Sequence, residues 1–232
     1  MTSHAIPESL KPIAAITNTA LPAGRIGAVV ARAGVGKTPF LVQVALNGMF
    51  YGKNVLHINL SATVKKTVVW YKEMFSHMAV RHSLGGVTLD DLIARRFIMT
   101  LKTTGFSVAG LQERISDLQE QNIFSPDILV VDGLSFEESR RSDVSELKAL
   151  GDSFGLKTWV SVPAHRDEPR DKRGMPARIT EVADLFDLIW ELLPEGKKIL
   201  VTPLKQIESV DEDAMLFMDP ASMQLDASKT AS

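Results

Sequence analysis

The sequence contains no cysteine, no large excess of charge of either sign and no long uninterrupted run of apolar residues. The absence of cysteine excludes a disulfide framework, a thiolate metal site and a cysteine nucleophile. No stretch approaches the roughly 18 consecutive apolar residues of a membrane-spanning helix, and the first residues do not form a charged-then-apolar export signal. We therefore expect a cytoplasmic protein without a membrane partner.

The charge balance and the histidine spacing exclude two further classes. The 26 lysines and arginines nearly offset the 28 aspartates and glutamates, for a formal net charge of -2. This balance excludes a nucleic-acid binder that is basic throughout, but it does not exclude a binder with a local basic loop. The five histidines show no H-E-x-x-H or comparable spacing, so a structural metal site has little support. A chain of 232 residues with 45% hydrophobic residues is expected to form one compact domain.

Residues 26–41, IGAVVARAGVGKTPFL, are the most informative stretch of the sequence. Residues 26–30 predict a buried strand, residues 31–36 a loop, and the apolar spacing from Lys37 onward a helix. The order strand, glycine-bearing loop, helix is typical of a phosphate-binding loop; the alternative is a glycine-rich turn that binds nothing. The pattern G-x-x-x-x-G-K-[ST] has alanine at its first position here, Ala31. Because the anion-facing N–H groups lie further along the loop, we expect phosphate binding to be retained.

Each residue type in this loop has a physical reason to be there. Gly34 and Gly36 permit backbone conformations in which successive N–H groups point at one anion. The helix N-terminus and the Lys37 amine add positive charge for the β and γ phosphates, and the Thr38 hydroxyl is a candidate magnesium ligand. The candidate nucleotide-binding residues are Arg32, Ala33, Gly34, Val35, Gly36, Lys37, Thr38 and Pro39.

A second candidate metal ligand ends another predicted strand. In DILVVDGLSF, residues 127–136, four apolar residues lead to Asp132, which would place a carboxylate at the carboxyl end of a strand, where open α/β sheets bind ligands. In the phosphate-loop class such an aspartate holds magnesium. The alternative is an ordinary residue of a turn. Thr38 and Asp132 are thus the predicted magnesium ligands.

The remaining chain alternates between predicted strands and helices. Further strands are predicted at 55–60, 97–101, 156–164, 184–193, 197–204 and 214–220, and helices at 64–80, 89–95, 108–121 and 143–155. This alternation favours an α/β fold with a mostly parallel central sheet covered by helices on both faces. The predicted organisation is a lead-in over residues 1–20, one domain over 21–222 and a disordered tail over 223–232.

The order of these segments resembles the RecA-like core of P-loop ATPases, in particular the branch of DnaB-type replicative helicases and KaiC. The matching runs are LPAGRIGAVVARAGVGKTPF, VLHINL, DILVVDGLSF, HRDEPRDKRGMPARITEVADLFDLIWEL and LFMDPASMQL. The resemblance covers nearly all of residues 20–226, as a stand-alone ATPase core without the N-terminal domain of the helicase. It implies ATP and Mg²⁺ as ligands, a homo-oligomeric ring, and a basic residue, Lys205, that reaches the phosphate site of a neighbouring subunit. An isolated exposed lysine is the alternative for Lys205.

The charged segment 165–178 is the candidate nucleic-acid loop, since the resemblance places it at the central channel of a helicase. In such a loop each phosphate contact makes binding depend on salt. A solvated surface loop is the alternative, because acidic residues are interspersed and no aromatic residue is available for base stacking. Its basic residues are Arg166, Arg170, Lys172, Arg173 and Arg178.

Two departures from the family pattern bear on catalysis. The glutamate that orients the attacking water in this branch is replaced by Ser61, which lacks the charge and basicity of a general base. At the end of the 156–164 strand, only His165 and Arg166 remain polar where the family has a glutamine. Loss of the base costs on the order of 10² to 10⁴ in rate, so we expect slow hydrolysis unless Glu137 or Glu138 substitutes. The candidate catalytic residues are Lys37, Asp132, Glu137 and His165.

Three functional hypotheses follow from the sequence. The first is a Mg-ATP-binding ATPase that controls assembly on a partner, either DNA or another protein. The second is a nucleotide-gated regulatory or scaffold protein that has lost hydrolysis. The third is a ParA/MinD-type ATPase, because Arg32 lies where that family carries a signature lysine, although the later segments fit it less well.

Overall fold

The computed structural model describes residues 10–14, 20–134, 140–165, 168–206 and 214–229. The strands are β1 Ile26–Ala31, β2 Val55–Asn59, β3 Arg96–Thr100, β4 Ile128–Asp132, β5 Lys157–Pro163, β6 Leu188–Glu195, β7 Lys198–Lys205, β8 Ala214–Met218 and β9 Leu225–Lys229. The helices are α1 Lys11–Ala14, α2 Lys37–Phe50, α3 Val64–His82, α4 Leu89–Ile93, α5 Val108–Glu120, α6 Arg140–Ser153 and α7 Ala177–Thr180. In these ranges no helix combines the length and the apolar character needed to cross a bilayer.

The strands form one sheet in the order β3-β2-β4-β5-β1-β6-β7-β8-β9. The strands from β3 to β6 in this order are parallel, and β7, β8 and β9 continue the sheet as antiparallel neighbours. Every residue of β1, β2 and β4 is buried, as is usual for parallel strands covered on both faces. The predicted α/β fold with a mostly parallel central sheet is confirmed.

Helices cover both faces of this sheet. On one face α2 and α3 pack in a core that includes Leu41 and Tyr71, and on the other α5 and α6 contribute Leu111 and Leu147 to a second core. Side chains alternate along β1, so that neighbouring residues of this strand belong to different cores. Groups on the central strands therefore reach solvent only at the strand ends.

The carboxyl ends of β1, β5, β4 and β2 lie side by side at one edge of the sheet, because these neighbouring strands are parallel. The chain leaves β1 through α2 and returns to the sheet at β2, two strands beyond its neighbour β5, whereas β6 lies on the opposite side of β1. The chain thus continues the sheet on both sides of β1. A change of this kind in the strand order leaves a crevice at the strand ends, which is where open α/β sheets bind ligands. The loop after β1 and Asp132 at the end of β4 both lie at this edge.

The end of the chain corrects the sequence prediction. Residues 223–232 were expected to be a disordered tail, but β9 pairs with β8 and Leu225 is fully buried. The Gln43 side chain on α2 accepts a 2.7 Å hydrogen bond from the Leu225 N–H and donates one of 2.8 Å to the Met223 carbonyl. These long-range contacts order a polar segment. Its composition alone does not indicate an ordered structure. The ordered domain therefore continues beyond residue 222.

The described residues of the lead-in are 10–14, which contain the short helix α1, and Ala20. Leu10, Ile13 and Ala14 are buried, and α1 packs against α2 and β9. The described part of the lead-in thus contacts the last strand of the sheet.

Candidate functional site

The loop at residues 32–36 connects β1 to α2 at the carboxyl edge of the sheet. Gly34 and Gly36 have positive φ angles of 78° and 120°, which residues with side chains rarely adopt. The space beside Gly34 is open, since a Cβ added there would meet no atom within 4 Å. The two glycines turn the backbone at the start of α2 and leave room in front of it.

The N-terminus of α2 faces the same space. Its N-cap is a glycine without a side chain, so no side-chain hydrogen bond caps the first turn, and that turn holds no acidic residue. Uncapped N–H groups at the positive end of a helix dipole are favourable to a bound anion. Of the other predicted loop residues, Arg32, Ala33 and Val35 lie between β1 and α2, and Pro39 is buried in the first turn of the helix.

Lys37 lies across the loop that precedes it. Its Nζ donates hydrogen bonds of 2.8 Å to the Ala31 carbonyl and 3.0 Å to the Arg32 carbonyl. Burial lowers the pKa of the Lys37 amine, and the Asp132 carboxylate partly opposes this shift. The amine is therefore held at the loop by two neutral acceptors, which a phosphate oxygen can replace with a stronger charged one.

Thr38 and Asp132 are in direct contact. The Thr38 hydroxyl donates a 2.6 Å hydrogen bond to Oδ2 of Asp132, and Asp132 is only 4% exposed at the end of β4. The sheet creates this contact by placing β4 one strand away from β1, with β5 between them. The structure thus brings together the two residues that the sequence proposed as magnesium ligands.

The end of β2 lies next to this pair. Asn59 is the sheet partner of Asp132, and its side-chain oxygen accepts a 2.9 Å hydrogen bond from the Ser61 N–H. Ser61 packs closely on Gly133, because a Cβ added to Gly133 would lie 2.6 Å from the Ser61 Oγ. Ser61, which the sequence resemblance aligns with a glutamate of the RecA-like ATPases, therefore lies beside Gly133, the residue that follows Asp132.

A pocket of about 280 Å³ opens between the loop and α3. One side is formed by the loop after β1 and the start of α2, and the other by the end of β2 and the residues after it, the first turns of α3 and the turn before β9. The lining residues are Gly34, Gly36, Lys37, Thr38, Pro39, Asn59, Ser61, Ala62, Lys66, Trp70 and Met223. The volume is at the small end of the range for ligand pockets.

The turn between β8 and β9 forms a wall of this pocket. Met223, with a positive φ of 55°, lies against the loop at residues 32–36: a Cβ added to Gly36 would be 3.3 Å from the Met223 sulfur and 3.0 Å from the Met218 Cε. Asp219 organises the turn by accepting hydrogen bonds from Ala221 and Ser222. The hairpin of β8 and β9 therefore packs against the loop at Gly36.

Five lining residues were not found from the sequence: Asn59, Ala62, Lys66, Trp70 and Met223. Lys66 and Trp70 lie on α3, where the sequence predicted a helix over 64–80 but no site residue. A local signal was present, because Lys65 and Lys66 occupy the first turn of α3 with no acidic residue there. Cations at a helix N-terminus oppose the helix dipole, and a local cost of this kind often marks a functional position.

Of the other candidate catalytic residues, His165 has a described position, and it is not part of the pocket lining. His165 is exposed after β5, and its backbone N–H donates a 3.1 Å hydrogen bond to Glu168. Glu137, together with Glu138, lies outside the described residues, as does Arg166. The catalytic assignments that have a described place in the pocket or beside it are Lys37 and Asp132.

One basic residue of the charged segment 165–178, Arg170, forms an ion pair with a strand of the same chain. Arg170 makes two hydrogen bonds of 2.7 and 2.9 Å to Glu191, which is 2% exposed on β6. Lys172 and Arg173 are exposed, whereas Arg178 is half-buried. Of the predicted nucleic-acid residues described here, Arg170 therefore has a structural ion pair and the exposed positive charge is at Lys172 and Arg173.

Lys205 is also engaged within its own chain. Its Nζ donates hydrogen bonds of 2.9 Å to the Ala183 carbonyl and 2.6 Å to the Phe186 carbonyl. Reaching a neighbouring subunit would require both bonds to break.

The donor set fits magnesium bound together with a phosphate ligand. No group of three or more histidine, aspartate or glutamate side chains suited to a metal occurs within the described ranges. Magnesium commonly takes one or two protein oxygens and completes its shell with water and substrate phosphates. The Thr38 hydroxyl and the Asp132 carboxylate supply two oxygen donors at one point.

Comparison of the chain with models of protein families gave no match, and comparison with curated proteins gave no similar sequence.

Proposed function

We propose that this chain is a RecA-like P-loop protein that binds Mg-ATP at the carboxyl edge of its sheet. The observation that carries the proposal is the contact of Thr38 with Asp132 beside the uncapped N-terminus of α2. A strand-end carboxylate and a hydroxyl of the first helical turn converge where the loop leaves room for an anion. Each of these features has a use in binding a magnesium-bound phosphate chain.

The electrostatics favour a polyphosphate over a neutral ligand. The dipole of α2 and the Lys37 amine place positive charge at one end of the pocket. When a phosphate enters, the ammonium group exchanges two neutral carbonyl acceptors for an anionic one, and it gains the Coulomb attraction between opposite charges that a carbonyl does not supply. Magnesium held by Thr38 and Asp132 would neutralise further phosphate charge.

Binding without rapid hydrolysis is the mode that the residues support. Ser61 occupies the place of a general base and cannot accept a proton with the efficiency of a carboxylate. We therefore extend the proposal to a nucleotide-gated protein, in which ATP occupancy controls assembly or a partner. A ring of subunits and contact with DNA through Lys172 and Arg173 are the helicase-like versions of this proposal.

Calorimetric titration of the pure protein with ATP and ADP, with magnesium and with EDTA, tests the proposal. The expected result is saturable ATP binding that Lys37→Ala weakens about tenfold to a hundredfold, the value of a charge-assisted hydrogen bond. Lys72→Ala, on the exposed side of α3, is the matched control and should bind as the unmodified protein does. No ATP binding, or equal binding by Lys37→Ala, would contradict the proposal.

A further inference from the structure

The pocket continues beyond the predicted phosphate-binding residues to a second lysine. Along the edge of the sheet the order is the loop after β1, the end of β4 with Asp132, and then the end of β2 with Ser61. Lys66 and Trp70 line the pocket from α3, which follows β2. A phosphate chain that starts at the loop and passes the Thr38–Asp132 pair therefore ends nearest to Ser61 and Lys66.

The position of Lys66 is unfavourable for the helix that carries it. Thr63 caps α3 through a hydrogen bond to the Lys66 N–H, and the first turn contains two lysines and no acidic residue. Both amines repel the positive end of the helix dipole. A bound anion would reverse this cost, because it would be attracted by the Lys66 amine and by the helix terminus.

The charges of the lining residues point in the same direction. Among the described residues that line the pocket, Lys37 and Lys66 carry positive charge and none carries a carboxylate. Lys65 precedes Lys66 in the first turn of α3. It is exposed like Lys66, but it is not part of the pocket lining. The two lysines thus share a helical environment and differ in their access to the pocket.

We propose that Lys66 binds the terminal phosphate of a nucleoside triphosphate, so that the site distinguishes triphosphate from diphosphate. This inference rests on the proposed function. A cation then occupies the side of the pocket where the family resemblance expects a glutamate. The consequence is a site that holds the terminal phosphate and reports its presence.

Comparison of ATP with ADP tests the role of Lys66. Lys66→Gln is expected to raise the Kd for Mg-ATP about tenfold, the loss of one charge-assisted contact, and to change the Kd for Mg-ADP less than twofold. Lys65→Gln removes the same charge from the same helical turn and should change neither Kd. Equal loss of ATP and ADP affinity in Lys66→Gln, or no loss of either, would overturn the assignment.

The experiment separates this inference from the proposed function. If the unmodified protein binds neither nucleotide, the proposed function itself fails. If it binds both, Lys37→Ala weakens both, and Lys66→Gln behaves as the unmodified protein, only the role of Lys66 fails.

Thermal unfolding provides a second readout that does not depend on titration. Without nucleotide, both Lys65→Gln and Lys66→Gln should raise the Tm by about 1–3 °C, because each removes a cation from a helix N-terminus. With saturating Mg-ATP, the further increase in Tm should be smaller in Lys66→Gln than in Lys65→Gln. Equal ATP-induced shifts in the two variants would contradict the proposed contact.

Trp70 allows the same event to be followed by fluorescence. It is half-buried in the pocket lining, whereas Trp159 and Trp190 are 1% and 3% exposed. Mg-ATP should therefore change the tryptophan emission more than Mg-ADP does, and Trp70→Phe should remove the difference. An ATP-specific change that persists in Trp70→Phe would show that the terminal phosphate does not act at this end of the pocket.

Discussion

Thr38 and Asp132 are 94 positions apart in the sequence, and their side chains are joined by a 2.6 Å hydrogen bond. The contact depends on a helix that starts immediately after the loop and on a parallel sheet that aligns the ends of β1 and β4. A hydroxyl at the start of a helix and a nearly buried carboxylate gain one hydrogen bond from each other. Both are also oxygen donors of the kind that magnesium prefers, which is the reason that we propose the pair as a magnesium site.

Asp132→Asn should remove the magnesium dependence of ATP binding. The amide keeps the size of the side chain and can still bond to Thr38, but it lacks the negative charge that attracts the cation. We expect an ATP Kd that is nearly the same with magnesium as with EDTA, while the unmodified protein binds more tightly with magnesium. Asp117→Asn, on the exposed side of α5, is the control. A full magnesium effect in Asp132→Asn would exclude Asp132 as a ligand.

Ser61→Glu should increase ATP turnover if the missing general base limits hydrolysis. A positioned carboxylate contributes on the order of 10² to 10⁴ in rate, and Ser61 lines the pocket beside the end of β4. Ser61→Gln has a side chain of similar size without basicity, so it should leave the rate unchanged. The measurement is steady-state phosphate release with magnesium. An unmodified protein that already turns over more than a few ATP per second would refute the missing-base argument.

The parts that sequence analysis predicted correctly depend on local pattern. The strand, glycine loop and helix at residues 26–50 are encoded by neighbouring residues, and their bounds agree closely with the structure. The apolar run before Asp132 likewise predicted a buried strand. Parallel pairing then requires the two strand ends to share one edge. The encounter of Thr38 with Asp132 could therefore be anticipated without coordinates.

The structural features that sequence analysis missed depend on contacts between distant segments. Leu225 is ordered because β9 pairs with β8 and Gln43 bonds to its backbone, and no property of the last ten residues encodes that partner. Trp70 lines the pocket only because α3 packs beside the loop. The local sequence does not encode that packing, so Trp70 was not recognised as a pocket residue. The ion pair of Arg170 with Glu191 similarly joins two segments whose charges give no indication of each other.

Gly133→Ala should destabilise the protein more than a comparable substitution elsewhere. Gly133 and Gly85 both have positive φ angles, so alanine at either position costs about 1–2 kcal/mol in backbone strain. At Gly133 the new Cβ would also lie 2.6 Å from the Ser61 Oγ and 3.1 Å from its backbone nitrogen, whereas at Gly85 it would meet nothing within 4 Å.

Urea unfolding of both alanine variants measures this difference. The free energy of unfolding should fall further in Gly133→Ala than in Gly85→Ala, and adding Ser61→Gly to Gly133→Ala should restore part of the loss. The coupling expected for residues in contact is about 0.5–3 kcal/mol. Equal losses at the two glycines, without rescue by Ser61→Gly, would show that Ser61 does not pack against Gly133.

His57 is a buried titratable group close to the candidate site. It is fully buried on β2, its Nδ1 lies 3.0 Å from the Tyr71 hydroxyl, and its Nε2 has no partner among the described residues. Burial lowers the pKa of His57 from 6.5 to about 4, with Asp132 opposing and Arg96 adding to the shift. The folded state therefore keeps this ring neutral at a pH where the unfolded chain binds a proton.

The stability of the protein should consequently fall as the pH is lowered from about 6.5 to 4. In that interval the unfolded state takes up a proton that folded His57 refuses, so protonation favours unfolding, and a pKa difference of this size corresponds to roughly 3 kcal/mol at pH 4. Urea midpoints measured across this range should decline less steeply in His57→Asn than in the unmodified protein, whatever the overall stability of the variant. His77→Asn, on the exposed side of α3, should keep the full slope. Parallel curves for His57→Asn and the unmodified protein would show that this buried ring does not cause the acid sensitivity.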